Sequence, residues 1–420
     1  MKKYLNSLLA LLFVVATAAA ASPSFEDFDQ RAKDGESLSV VFFGASLTWG
    51  ANATDPQLTS YRANMARRFE AEYPKAHFKF WDAAIGGTGS QLGVFRLRRD
   101  VLARKPDLVF LDFTANDDIN YAIPETLASY EAIVRRLISE GTCAVVQVIF
   151  PFKGNVVAGT TEGLKRLYAH LAISHAYYTA VGDAVSLAIE RVKTRETYIE
   201  KLWPVDSVHP GDDGYALFAD AAWRAFQDAV NDKLVCRVPE KMINAETYMH
   251  SSRMHLAALG PLPSGWYPGK PNLTSAYYDF LMSRWLDGVC IASRSAKDTE
   301  DNPHMPKNFS ARFDGSMVML FGESTKTSGK YRVLIDGTPA HVRTKPGEPP
   351  DCFDPGAFSQ KIGGNGHHVQ VIVAGLETNV EHTIEIEPVL QPGQEIRLES
   401  ICVAGGRGKV MAPKKESVKK

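Results

Sequence analysis

Between Ser37 and about Ala229 the chain alternates short apolar runs with stretches in which apolar residues return every three or four positions. The runs Leu38 to Phe43, Phe78 to Ile85, Leu108 to Phe113 and Val145 to Phe150 have the length and composition of buried strands, and a shorter one lies at Tyr178 to Val181. Between them, Tyr61, Met65 and Phe69 share a helical face, as do Leu92, Phe95 and Leu102. Leu127, Tyr130, Ile133, Val134, Leu137 and Ile138 mark a third helix, and Glu162 to Tyr177 and Asp183 to Val192 two more. Strands without polar alternation need cover on both faces, which crossover helices supply. The order βαβαβαβαβα therefore predicts an α/β fold: a doubly wound, flavodoxin-like parallel sheet flanked by helices, placed at residues 36–235.

Beyond Val235 the pattern changes. Residues 236–305 are rich in Pro, Gly, Met and aromatics without a clear period, and read as a connector with a helix near Ser275 to Leu286. From Phe309 onward, Ser316 to Phe321, Tyr331 to Ile335, His368 to Val373, His382 to Glu387 and Ile396 to Val403 read as strands separated by turn signals such as Asp336-Gly337 and Asn365-Gly366. That predicts a C-terminal all-β sandwich domain over residues 306–406, followed by a basic, disordered tail at 407–420.

The first 21 residues carry Lys2 and Lys3, the apolar run Leu8 to Val15 and the small residues Ala16 to Ala21, the three parts of a secretory signal. An exported chain beginning near Ser22, secreted or periplasmic and without a membrane span, is expected. With 47 basic and 48 acidic residues and no basic stretch in the folded region, nucleic acid is excluded as a partner. Nothing in the pattern points to an oligomeric state. The cysteines Cys143, Cys236, Cys290, Cys352 and Cys402 are too scattered for a disulfide framework, and none has metal-ligand spacing. Cys143 lies in an apolar strand and reads as a buried thiol.

In an open parallel sheet, ligands collect outside the carboxyl ends of the strands. Three loops there carry polar or glycine-rich sequence: Gly44-Ala45-Ser46-Leu47-Thr48-Trp49-Gly50, Gly86-Gly87-Thr88-Gly89-Ser90 and Thr114-Ala115-Asn116-Asp117. A serine is a weak nucleophile unless a base takes its proton and an acid orients that base. Asp206-Ser207-Val208-His209 supplies both within one turn, so that Asp206 holds His209 while the other ring nitrogen meets Ser46. Donors for a developing oxyanion are at hand in the backbone N–H groups of Ser46 and Gly87 and the side-chain amide of Asn116. Neither a cofactor nor a metal is implied.

These blocks resemble the SGNH (GDSL-like) serine hydrolase family over roughly residues 38–230. The resemblance implies Ser46 as nucleophile, Gly87 and Asn116 in the second and third blocks, and Asp206 with His209 in the fourth. Ala45 stands where the family often has Asp, and Thr114 where it usually has Gly. An exported serine esterase acting on acylated carbohydrate, most often acetylated, follows as the expectation. The alternatives are a lysophospholipase or thioesterase acting on lipid, and a non-catalytic glycan-binding protein.

Other residues invite weaker readings. His367-His368 reads as a hairpin turn rather than a metal pair, because neighbours in a strand face opposite sides. His170 and His175 do not share a helix face well enough to ligate together. Trp49, Trp203 and Tyr215 suit a sugar-stacking wall or the core equally. Asn52-Ala53-Thr54, Asn272-Leu273-Thr274 and Asn308-Phe309-Ser310 fit glycosylation acceptors.

Overall fold

A computed structural model of the chain describes residues 22–272, 286–298, 304–340 and 351–414. The signal-like residues 1–21, the helix expected from Ser275 and the tail end 415–420 lie outside the described residues.

Strands β1 (Ser37–Gly44), β2 (His77–Ala84), β3 (Leu108–Leu111), β4 (Ala144–Ile149) and β5 (Ala180–Asp183) form a parallel sheet in the order β2-β1-β3-β4-β5. This is the flavodoxin-like order expected, with its reversal between β1 and β3. Consecutive residues of a strand face opposite ways. Phe42 accordingly meets Tyr61 of helix α3 (Tyr61–Glu72) edge-on, while Phe43 lies beneath Arg96 of α4 (Ser90–Asp100). Helix α10 (Asp212–Asn231) packs beside α3, and α5 (Pro124–Ser139) beside α4.

The domain starts earlier than position 36. Helix α1 (Phe25–Lys33), capped by the Ser24 hydroxyl, buries Phe25 and Phe28 against Phe226 and Phe69. Its apolar stripe is only Phe25, Phe28 and Ala32, too short to stand out beside the alanine run.

The remaining strands are β6 (Ser251–His255), β7 (Trp266–Gly269), β8 (Val289–Ser293), β9 (Phe309–Asp314), β10 (Met317–Ser324), β11 (Lys330–Ile335), β12 (Thr338–Pro339), β13 (Cys352–Phe353), β14 (Gly366–Ala374), β15 (His382–Val389), β16 (Glu395–Ala404) and β17 (Lys409–Met411). One antiparallel sheet runs β14-β10-β16-β8-β7, with β6 also on β16; the other runs β12-β11-β15-β9-β17, with β13 on β11. They enclose a core of Phe313, Val318, Leu320, Val333, Ile384 and Leu398, among others. The C-terminal β sandwich is thus present, but its edges differ from the sequence reading. The stretch read as a connector supplies β6, β7 and β8, and the tail read as disordered begins with β17, whose Val410 is buried in the sandwich. These strands are three to five residues long, and their partners lie up to 153 positions away, as for Ser251 on Ala404, so no local period announces them.

The two halves share a core. Along β10, Val318 and Leu320 face the sandwich interior, whereas Met317, Met319 and Phe321 belong to the apolar cluster of the α/β half. Along β16, Cys402 and Ala404 do the same. Farther out, the buried Glu131 of α5 takes N–H groups from Ile243 (2.7 Å) and Asn244 (2.7 Å), pinning the chain as it leaves the α/β half. Among the described residues the five cysteines are free thiols, and burial pushes that of Cys143 well up.

Candidate active site

Ser46 opens α2 (Ser46–Trp49), a single turn directly after β1. The turn closes tightly: a side chain at Gly44 would run into Thr48 and the Asp112 carbonyl, so only glycine fits before Ala45. His209 Nε2 lies 3.0 Å from Ser46 Oγ, and His209 Nδ1 lies 3.1 Å from Asp206 Oδ2. The other carboxylate oxygen, Oδ1, accepts the backbone N–H groups of Val208 (2.7 Å) and His209 (2.7 Å), so the acid shapes the turn that carries the base. Burial pushes the Asp206 carboxyl up, but these N–H bonds together with those from His209 and Asn52 hold it below the usual carboxylate range. The loop is fastened from outside by Lys153 N–H on the Ser207 carbonyl (3.0 Å) and Gly211 N–H on the Leu202 carbonyl (2.9 Å).

Asn52 was not among the site residues expected. Its Nδ2 donates to Asp206 Oδ2 at 2.8 Å, from a left-handed backbone with φ of 66° that asparagine tolerates. The amide read as a glycosylation acceptor is thus spent on the acid. Its position six residues after Ser46 in a turn-rich segment was the only available signal.

Gly87 and Asn116 stand on the loops after β2 and β3, the neighbours of β1. Gly44 is in register with Ala84 and Phe43 with Leu111, which ends the three strands at one edge. Arg96, fully buried, donates to the carbonyls of Ala83 (2.6 Å) and Gly44 (2.8 Å), binding the ends of β2 and β1 together just where their loops part. Burial lowers its pKa to about 10, partly offset by Asp100.

Two buried carboxyls lock the loops to one another. Asp112 accepts the Thr48 hydroxyl (3.3 Å) and the Thr114 N–H (3.1 Å), joining the Ser46 turn to the Asn116 loop; burial pushes it up to about 7. Asp117 accepts the Ser90 N–H (3.0 Å), joining the Asn116 loop to the Gly87 loop, and burial pushes it up to about 6 despite Ser90 and Arg166. A side chain on Gly89 would collide with Asp117. Arg166, from α7 (Lys165–Tyr177), holds the Asp118 carbonyl at 3.0 Å and Thr126 Oγ1 at 2.6 Å. Thr114, in the usual glycine position, is fully buried with its hydroxyl 3.4 Å from His170 Nδ1. His170 itself stacks on Tyr130 with ring centroids 3.8 Å apart.

Other expectations resolve differently. Trp203 and Tyr215 are core residues, the Tyr215 hydroxyl donating to the Ala51 carbonyl (2.6 Å), while Trp49 is partly exposed. His367 and His368 sit within β14 and not in a hairpin turn. As neighbours in a strand they face opposite ways: His368 Nε2 meets the Tyr331 hydroxyl (2.6 Å) in the sandwich, and His367 lies against Gly87. Beside this contact a cavity of about 400 Å³ is lined by Gly87, Asn116 and Thr126 from the α/β half and by Phe358, His367 and Gln370 from the sandwich.

The fold of the chain has counterparts among solved structures. Two crystal structures described as a two-domain esterase (CEX) active on acetylated mannans, one co-crystallized with mannopentaose, share the fold of both halves. The first is 20% identical with a TM-score of 0.72, covering 90% of this chain and 94% of its own. The second is 22% identical with a TM-score of 0.70, covering 92% and 97%. No curated protein matches the chain significantly. Residues 42–217 match the GDSL-like Lipase/Acylhydrolase family, and this part of the chain is accordingly a serine ester hydrolase domain of that family.

Proposed function

We propose that the protein is an exported serine esterase that removes acetyl or other small acyl groups from carbohydrate, with Ser46 as nucleophile, His209 as general base and acid, and Asp206 as its orienting carboxylate. The observation that carries the reading is the continuous hydrogen-bonded run from Ser46 Oγ through both nitrogens of His209 to Asp206. In this reading Ser46 attacks the ester carbonyl as His209 takes its proton. The oxyanion is met by the N–H groups of Ser46 and Gly87 and the Asn116 amide. His209 then gives its proton to the departing sugar oxygen, which leaves as the free hydroxyl, and water repeats the sequence on the acyl-enzyme. A carbohydrate substrate is supported by the two-domain likeness to esterases described as active on acetylated mannans. Export is supported by the three-part pattern of residues 1–21.

The test is hydrolysis of p-nitrophenyl acetate, butyrate and octanoate by the chain from Ser22, with acetate release from acetylated mannan measured beside it. Acetate preference, acetate release from the glycan and loss of both in Ser46→Ala are expected. Preference for octanoate would move the substrate to lipid, since each buried methylene adds ~0.8 kcal/mol to an apolar acyl site. No turnover and no fluorophosphonate labelling of Ser46 would leave a glycan-binding protein.

A further inference from the structure

His367 is 7% exposed and lies 280 residues beyond the glycine it touches. A Cβ built on Gly87 would stand 3.1 Å from His367 Cε1 and 3.6 Å from Nε2, and the ring is hydrogen-bonded to the Gly87 backbone. Gly87 has φ of 73°, in the left-handed region where a glycine changes conformation at least cost. The direction in which its N–H points therefore depends on what packs against it. On the Asp117 side the loop is fixed through Ser90, but that bond lies three residues further on. The Thr88 hydroxyl closes the loop across Gly87 onto the Ile85 carbonyl (2.8 Å), and against Gly87 itself the sandwich sets His367.

The histidine is well placed to act as a rigid strut. Phe358 of α11 (Ala357–Ile362) flanks its ring, with centroids 4.4 Å apart, and β14 is paired along its length with β10, whose Met319 and Phe321 are sunk in the shared core. Burial lowers the His367 pKa to about 4, so the imidazole is neutral near pH 7 and adds no charge beside the oxyanion.

We propose that His367 is a positioning residue for the hydrolytic reaction: the C-terminal sandwich uses it to hold Gly87 in the conformation that turns its N–H toward the oxyanion. This deepens the esterase reading above and rests on it. Docking of the sandwich then becomes a condition for a complete oxyanion site.

The experiment compares the parent from Ser22 with His367→Leu, which keeps bulk and removes the ring nitrogens, and His367→Gln, which restores a donor. Turnover of p-nitrophenyl acetate is expressed per active Ser46, counted by exhaustive fluorophosphonate titration, so that misfolded protein does not enter kcat. Losing an oxyanion donor outright costs about 10²- to 10³-fold, and loosening one should cost less. A roughly tenfold fall in kcat per titrated site in the Leu variant is expected, with KM within twofold and most of the loss recovered by Gln. A purely structural role would lower the number of sites and leave kcat per site unchanged, and that result would overturn the proposal. So would a loss confined to KM, which would make His367 a substrate contact. If the Leu variant gives no titratable sites, His367→Met is read in its place. These outcomes presume an inactive Ser46→Ala; residual turnover there would sink the esterase mechanism itself, separately from His367.

Discussion

Strands β1 and β10 are each eight residues long and buried almost from end to end, yet their cover has different origins. β1 lies in a parallel sheet whose helices are neighbours in sequence, so both its faces are closed by the α/β half alone. β10 belongs to an antiparallel sheet, the kind that commonly leaves one face to water. Its second face is closed by another region of the chain: Met317, Met319 and Phe321 point into the α/β core while Val318 and Leu320 point into the sandwich. A strand of an antiparallel sheet that reads as unbroken apolar sequence, as Met317 to Phe321 does, is a sign of a docked partner. The junction here is therefore core and not contact surface, and only through such a junction could a side chain such as His367 be held against a loop of the other half.

The comparison breaks most plainly if the chemistry is not confined to the β1 side. Ser46→Ala should lower kcat by about 10⁴-fold or more, measured on p-nitrophenyl acetate, while thermal unfolding stays near that of the parent. The shared core is tested next. Phe321→Ala removes a fully buried ring that also lies 4.8 Å beneath the Arg253 guanidinium, and should cost about 3–5 kcal/mol in denaturant unfolding. Because the halves share that core, the two should still unfold together. Separate transitions reported by different probes would show the junction to be a surface after all.

A smaller effect sharpens the β1 side. Asn52→Ala removes one of the bonds that keep the Asp206 carboxyl low, and should cut kcat by roughly tenfold with little change in melting temperature. A variant of parental rate would reduce Asn52 to a turn residue. The smallest effect concerns pH. Asp112 has its pKa raised from 3.8 to about 7, so between these values the folded chain binds more protons than the unfolded one. Stability then falls as pH rises from about 4 to about 7 and levels off above. Asp112→Asn should flatten that part of a melting-temperature curve by a few degrees, and an unchanged slope would mean that Asp112 ionises elsewhere in the range.

What the sequence made legible was whatever is local. Each strand of the parallel sheet and each helix facing it carries its own period, and Asp206 and His209 meet within one turn. Ser46 could be matched to them because the ends of parallel strands lie at one edge by construction. Asn52, Arg96, Asp112 and Arg166 escaped because each is an ordinary residue of a turn, helix or strand until the fold closes over it. The strands β6 to β8 escaped for a related reason: a strand of four or five residues is defined by what it pairs with, and β16, the partner of β6 and β8, lies more than a hundred positions away, while β7 pairs only with β8. His367 needed both kinds of knowledge at once.

The position of β16 also sets an order of events. It pairs with β10, β8 and β6, so three strands made earlier wait for Glu395–Ala404 to be synthesised before their sheet exists. A chain stopped at residue 394 would hold the complete α/β half with β6, β8 and β10 lacking their common partner. Such pairings across long separations are slow to form and leave unpaired strand edges open to other chains meanwhile. Maturation of the enzyme is thus governed by nearly the last strand to be made, and a deletion of little more than its final two dozen residues should yield aggregated protein even though every proposed catalytic side chain has already been supplied.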